Sequence, residues 1–92
     1  MFRIWGKLMK NNRFLNEMVA EIDNTSLTRE EKIEEALDQF TMAFDLQKPM
    51  WFDKNTKDMK KFSRTQFFDD QFIESITFDY LEIEIIEEDR NK

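Results

Sequence analysis

Carboxylates are the most abundant side chains in this chain with acid–base or metal chemistry of their own. Twenty of the 92 residues are Asp or Glu, while His and Cys are absent. Ser–His and Cys–His nucleophile systems are thereby excluded in their ordinary forms, as are disulfides and thiolate zinc sites. The single glycine, Gly6, leaves no glycine-rich phosphate loop. Asp69 and Asp70 are adjacent, with Glu74 one helical turn beyond Asp70. Such all-oxygen groups suit Mg²⁺ or Ca²⁺, as in a metal-assisted hydrolase that works through carboxylates. Neighbouring side chains diverge on a helix, however, and so acidic a chain brings carboxylates together by chance. No catalytic, cofactor-binding or metal-ligating residue is therefore assigned, and solubility and charge pairing are the roles expected of these acids.

A second constellation is basic and aromatic. Lys54, Lys57, Lys60, Lys61 and Arg64 are interleaved with Trp51, Phe52, Phe62 and Phe67. Cations beside stacking rings suit single-stranded nucleic acid, which makes residues 51–67 a candidate contact face. The bland account is that the rings are core and the lysines are the wet side of an amphipathic helix. The formal net charge of −6 also repels a polyanion at long range.

Charge is segregated along the chain: residues 26–47 and 67–92 are acidic, and residues 48–66 are basic. The acids Glu30, Glu31, Glu34, Glu35 and Asp38, with Glu87, Glu88 and Asp89, could mimic nucleic acid in a basic groove. A solvated helix face explains the first group more simply.

The elements that must position these groups follow from periodicity. Residues 2–9 alternate as a strand, with Phe2, Ile4 and Leu8 on one side and Arg3, Trp5 and Lys7 on the other. Asn11 and Asn12 suit a two-residue hairpin loop, because Asn tolerates positive φ. That loop sets Leu8 against Leu15, Ile4 against Val19, Met9 against Phe14 and Trp5 against Met18. Thr28-Arg29-Glu30-Glu31 spells a capping box, with Leu27 as its staple. The stripe Ile33, Ala36, Leu37, Phe40, Ala43, Phe44 predicts an amphipathic helix of about 18 residues, closed by Lys48-Pro49. Asp53 is the expected cap of a short second helix over 54–62, on which Met59 and Phe62 share a face. Residues 66–75 are expected as helix or irregular turn, although the adjacent Phe67 and Phe68 also suit a strand end.

Residues 77–87 alternate again. Leu81, Ile83 and Ile85 line one face, while Phe78, Tyr80, Glu82 and Glu84 line the other. If this strand pairs with the first, Glu82 and Glu84 lie opposite Arg3 or Lys7. Residues 90–92 are expected to fray.

The segments Phe2-Arg-Ile-Trp-Gly-Lys-Leu-Met-Lys-Asn-Asn-Arg13, Lys48-Pro-Met-Trp-Phe-Asp-Lys54 and Phe72-Ile-Glu-Ser-Ile-Thr-Phe-Asp-Tyr-Leu-Glu-Ile83 resemble a group of short, uncharacterised proteins from Gram-positive anaerobic bacteria. The resemblance spans most of the chain. It implies a small intracellular bacterial domain and carries over no site, cofactor or partner.

The expectation is one α+β domain over 1–92: a small antiparallel sheet, from the N-terminal β-hairpin plus the C-terminal strand in order 2-1-3, packed by one long amphipathic helix, with a short second helix. No apolar run is long enough to span a membrane, and a cysteine-free chain with no leader-like start is expected in the cytoplasm. Trp5 and Tyr80 fall on the sheet face opposite Leu81, Ile83 and Ile85. That face must be covered by residues 50–75 or by a second chain. With Trp51 and Phe52, these rings are the candidate interface of a non-enzymatic protein-interaction module whose partner is itself or another protein.

Overall fold

The computed structural model describes residues 1–88 and has an α+β fold of four antiparallel strands and two helices. Strand β1 (Phe2–Lys10) and strand β2 (Arg13–Ile22) form the hairpin; helix α1 (Arg29–Ala43) and helix α2 (Asp53–Phe62) follow; strand β3 (Arg64–Phe67) and strand β4 (Tyr80–Glu87) close the sheet. The strand order is β2-β1-β4-β3, which corrects the expected 2-1-3. Strand β1 has a neighbour on each side, but β4 is internal and a fourth strand forms the far edge. The expected fraying at 90–92 lies outside the described residues.

Asn11 and Asn12 both take positive φ, 53° and 63°, as a tight hairpin turn of the favoured hand requires. Met9 pairs with Phe14, but a bulge after Leu8 shifts the rest of the ladder by one residue. Leu8 therefore faces Asn16, Trp5 faces Val19 and Ile4 faces Ala20, correcting the register read from the sequence. The reason is the period of two: a one-residue slip exchanges the faces of a whole strand. Without the bulge Glu21 would enter the core opposite Phe2. With it, Ala20 and Ile22 are buried there instead.

At the start of α1 the capping box is complete: the Thr28 hydroxyl accepts from the Glu31 N–H, and the Glu31 carboxylate accepts from the Thr28 N–H at 2.8 Å. Leu27 packs against the core beside it. The helix is 15 residues long and ends well before Pro49, so the single long helix is not formed. Asp45 turns left-handed with φ of 56°, and the Leu46 N–H reaches the Thr41 carbonyl at 2.8 Å. A reversal of this type normally uses Gly, which is why the sequence hides it. Ile33, Ala36, Leu37 and Phe40 are buried as expected of the stripe, while Ala43 is exposed.

Helix α2 is capped differently from expectation. Phe52 is its N-cap, and the Asn55 side-chain oxygen accepts from the Phe52 N–H at 2.8 Å. Met59 is buried, but Phe62 is 54% exposed at the helix end. Residues 66–75 divide: Gln66 and Phe67 complete β3, Asp69–Gln71 make one 3₁₀ turn, and Phe72 returns to the core.

Both helices cover the same face of the sheet. Leu81 and Ile83 of β4 are buried there, and the residues paired with them on β3, Phe67 and Thr65, are buried with them. The Asn55 amide of α2 donates to the Thr65 hydroxyl at 2.7 Å, which places α2 over this face beside α1. Gly6 lies under Phe40 of α1, where a Cβ would come within 2.6 Å of the ring. Phe72 and Phe78 close the layer edge to face, with centroids 5.5 Å apart. Each large side chain buried in this way contributes about 1.5–3 kcal/mol of transfer free energy.

Candidate protein-interaction face

Residues 50–75 are one of two expected covers for the other sheet face, and they reach it only at its β3 edge, where Phe68 lies against Tyr80. They join α1 on the core side or extend the sheet as β3. Trp5 and Tyr80 therefore lie, each half-buried, on a face that neither helix covers. Strand alternation puts Arg3, Trp5, Lys7 and Met9 of β1 there, with Phe14, Glu17, Val19 and Glu21 of β2, Tyr80, Glu82 and Glu84 of β4, and Arg64 and Gln66 of β3.

One band of this face is apolar and crosses the whole sheet. Phe14 pairs with Met9, Met9 pairs with Tyr80, and the Tyr80 ring meets Phe68 at a centroid distance of 5.5 Å. Trp5 stacks on Phe14 at 6.0 Å with planes 19° apart, and its indole N–H donates to Glu17 Oε1 at 3.0 Å. Phe14 is 51% exposed and Val19 44%. Exposed rings in a continuous patch, ordered against one another, characterise the apolar part of a recognition surface.

Beside the band lies a charge network. Lys7 Nζ is 2.7 Å from Glu82 Oε2, 2.8 Å from Glu84 Oε1 and 3.9 Å from the Trp5 ring centroid. Partial burial lowers the affinity of Lys7 for its proton, but the hydrogen bonds and charges of Glu82 and Glu84 outweigh that, so its pKa is raised from 10.5. For Glu82, burial acts to raise the pKa, and hydrogen bonds from Lys7 and Gln66 with the nearby charges overcome it, so the carboxyl titrates below its ordinary 4.5. The strand pairing thus resolves the expected Lys7 or Arg3 contact in favour of Lys7. Arg3 instead bridges Glu21 and Glu87, at 3.2 Å each.

The other candidate residues lie elsewhere. Trp51 does not join Trp5 and Tyr80: it tilts against Phe67 at 5.7 Å, donates to the Thr56 hydroxyl at 2.8 Å, and lines a 410 Å³ groove between α1 and α2. Phe52 is half-buried at the start of α2. Lys54, Lys57, Lys60 and Lys61 share the outer side of α2, opposite the buried Asn55 and Met59. Lys54 sits over Phe68 at 4.9 Å, which joins the basic helix to one end of the aromatic band. Arg64 opens β3 opposite Glu84. Among the rings interleaved with these cations, Phe67 is fully buried and cannot stack on a base.

Several acids of the candidate mimic are already engaged. Glu31 closes the capping box, Glu34 and Asp38 hold Lys48 at 2.6 and 2.9 Å, and Glu88 holds Arg29 at 2.8 Å. Asp69 and Asp70 sit exposed on the 3₁₀ turn, and among the described residues no group of three or more acids converges as a metal site would require. No helix among them is long and apolar enough to cross a membrane.

Sequence reasoning missed three residues of the face. Phe14 and Val19 have cross-strand partners in the sequence reading but no exposure, and Phe68 falls in the stretch expected as helix or irregular turn. The signal for Phe68 was present in its neighbour, since alternation sends it to the side opposite the buried Phe67. No family model matches this chain, and no curated protein or solved structure matches it.

Proposed function

We propose that the protein is a non-enzymatic interaction module that binds another protein through the uncovered face of its sheet. The observation that carries this reading is the aromatic band Phe14, Met9, Tyr80, Phe68 on a face left open because both helices pack on the other side. A patch of rings beside fixed charges supplies desolvation energy and orientation together. On the strands of this face Glu17, Glu21, Glu82, Glu84 and Glu87 stand with Arg3, Lys7 and Arg64, and Lys54 adds a cation at the Phe68 end. The acid is concentrated toward β2, where Glu17 and Glu21 favour a basic partner over a second copy. The proposed setting is the cytoplasm, where a cysteine-free core has no disulfide to lose.

The test compares the proteins retained from cell extract by the native chain, by Phe14→Ser/Phe68→Ser and by Lys57→Glu/Lys60→Glu. The reading expects the aromatic variant to lose what the native chain retains, while the lysine variant keeps it. Retention indifferent to the aromatic pair, or retained oligonucleotide released by the lysine variant, overturns it.

A further inference from the structure

Strand β2 is an edge strand of ten residues, whereas the other edge, β3, has four. Which way its backbone points follows from the ladder. The Ile85 N–H donates to the Ser63 carbonyl on the β3 side, so the alternate residues Tyr80, Glu82 and Glu84 point toward β1. Their partners Trp5 and Lys7 point back at β4, which leaves Ile4 and Gly6 to bond β2 through Ala20 and Met18. Glu17, Val19 and Glu21 must then turn their backbone groups outward. An independent contact agrees: the Glu17 N–H is taken by the Asn16 side chain at 2.9 Å, not by β1.

The outward groups of Val19 and Glu21 make no hydrogen bond among the described residues. Proteins commonly protect such an edge with Pro, charged side chains (Lys above all), bulges, shortness or cover. Residues 16–22 have no Pro and no Lys, and among the described residues no segment covers that edge; the β1–β2 bulge lies before them. What they present is acid: Glu17 and Glu21 flank Val19 at two-residue steps on the open face, both still exposed although the Trp5 indole donates to Glu17 and Arg3 bridges Glu21.

We propose that this edge takes up an extended basic segment of another protein as a fifth strand. The backbone of Val19 and Glu21 supplies the hydrogen bonds, and the side chains set the pattern of the incoming strand: a Lys or Arg opposite Glu17 and Glu21, and a β-branched or aromatic residue opposite Val19. A second copy fits poorly, because two β2 edges paired in antiparallel bring Glu17 against Glu17 or Glu21, or set the glutamates against Val19 and Leu15. The inference rests on the protein being an interaction module, but it uses the edge rather than the aromatic band.

The experiment titrates the full chain with acetyl-Thr-Lys-Thr-Val-Thr-Lys-Thr-amide, and with the same peptide carrying Glu for Lys, while following amide hydrogen exchange. In the free protein the Val19 and Glu21 amides exchange fast, while those of Met18 and Ala20 are protected. The basic peptide slows exchange at Val19 and Glu21, and the acidic one does not. Val19→Pro removes an outward donor without breaking the β1 ladder and abolishes uptake. Glu17→Lys/Glu21→Lys keeps every backbone group and weakens uptake by about tenfold or more, as loss of charge complementarity should. Phe14→Ser/Phe68→Ser leaves peptide uptake intact, so failure of the edge and failure of the aromatic face are read separately. Equal response to both peptides overturns the proposal. So does concentration-dependent protection of Val19 in the free protein, which would make a second copy the occupant.

Discussion

Asn55 and Gln71 face each other in the core, the Gln71 amide donating to Asn55 Oδ1 at 2.8 Å, with both side chains fully buried. Asn55 uses its whole hydrogen-bonding capacity, accepting from the Phe52 N–H and Gln71 and donating to the Thr65 hydroxyl and the Gln66 carbonyl. Gln71 also accepts from the Phe68 N–H and donates to the Met50 carbonyl. This pair fastens the loop before α2, the helix itself, the middle of β3 and Phe68 just after it to one side of the sheet. It is therefore a direct cause of the other side being open.

Asn55→Leu should consequently cost more than a typical core change. It strands several buried polar groups, each worth about 1–3 kcal/mol when left unsatisfied, so a loss of about 3 kcal/mol in urea denaturation is expected. A loss below about 0.5 kcal/mol, the range of an ordinary surface substitution, would show that the network does not hold the segment.

The Lys7–Glu82 contact makes stability depend on pH at both extremes. Glu82 has a folded pKa below 4.5, so its contribution is present above that value and is lost as pH falls through the folded pKa. Lys7 has a folded pKa above 10.5, so its contribution is present below 10.5 and is lost as pH rises through the folded value. Lys7→Met should lower stability at neutral pH by about 1–2 kcal/mol, since Glu82 and Glu84 are left without their shared cation. The deficit should shrink in acid as Glu82 protonates. Thermal melts of both proteins from neutral pH down to about 3, below the ordinary carboxylate range, read this difference; a deficit constant across that range would contradict the pairing.

Gly6 is needed for close approach. Any Cβ there meets Phe40 ring atoms at 2.6–2.8 Å, and a buried ring against β1 has little room to retreat. Gly6→Ala is expected to destabilise by about 2 kcal/mol despite the usual strand preference for Ala over Gly, as overpacking does. Gly6→Ala combined with Phe40→Leu should lose less than the sum of the two single changes. Additive losses would mean that the two residues are not coupled.

Thr28→Ala removes the hydroxyl that accepts from Glu31 N–H and should cost about 1 kcal/mol by chemical denaturation. Thr28→Ser should restore most of it.

Much of the architecture could be read from local pattern. The hairpin turn, the strand parity of β1 and of β4 from Tyr80 onward, and the capping box all rest on residues close in sequence, where spacing alone decides the geometry; Phe78, expected beside Tyr80, lies before the strand and turns into the core. What escaped depended on distant partners or on unusual conformers. Strand β3 is the four residues Arg64-Thr65-Gln66-Phe67, too short and too polar to alternate visibly, and it exists because β4 offers an edge and Asn55 holds Thr65. The bulge after Leu8 follows from the need to keep Glu21 out of the core, a need that appears only once α1 covers Phe2. Asp45 and Ser63 turn left-handed without glycine, so the end of each helix lacks its usual marker. Of the face itself, Trp5 and Tyr80 could be read from alternation, but the continuity of the band required knowing that Met9 lies between Phe14 and Tyr80.

The account stands on the open face being the working surface, and the most direct measurement is side-by-side retention of protein by the native chain and Phe14→Ser/Phe68→Ser, with the melting temperature of each recorded. Both residues are exposed, at 51% and 38%, so the melting temperatures should differ by only a few degrees while bound protein disappears from the variant. Undiminished retention by a folded variant would contradict the account.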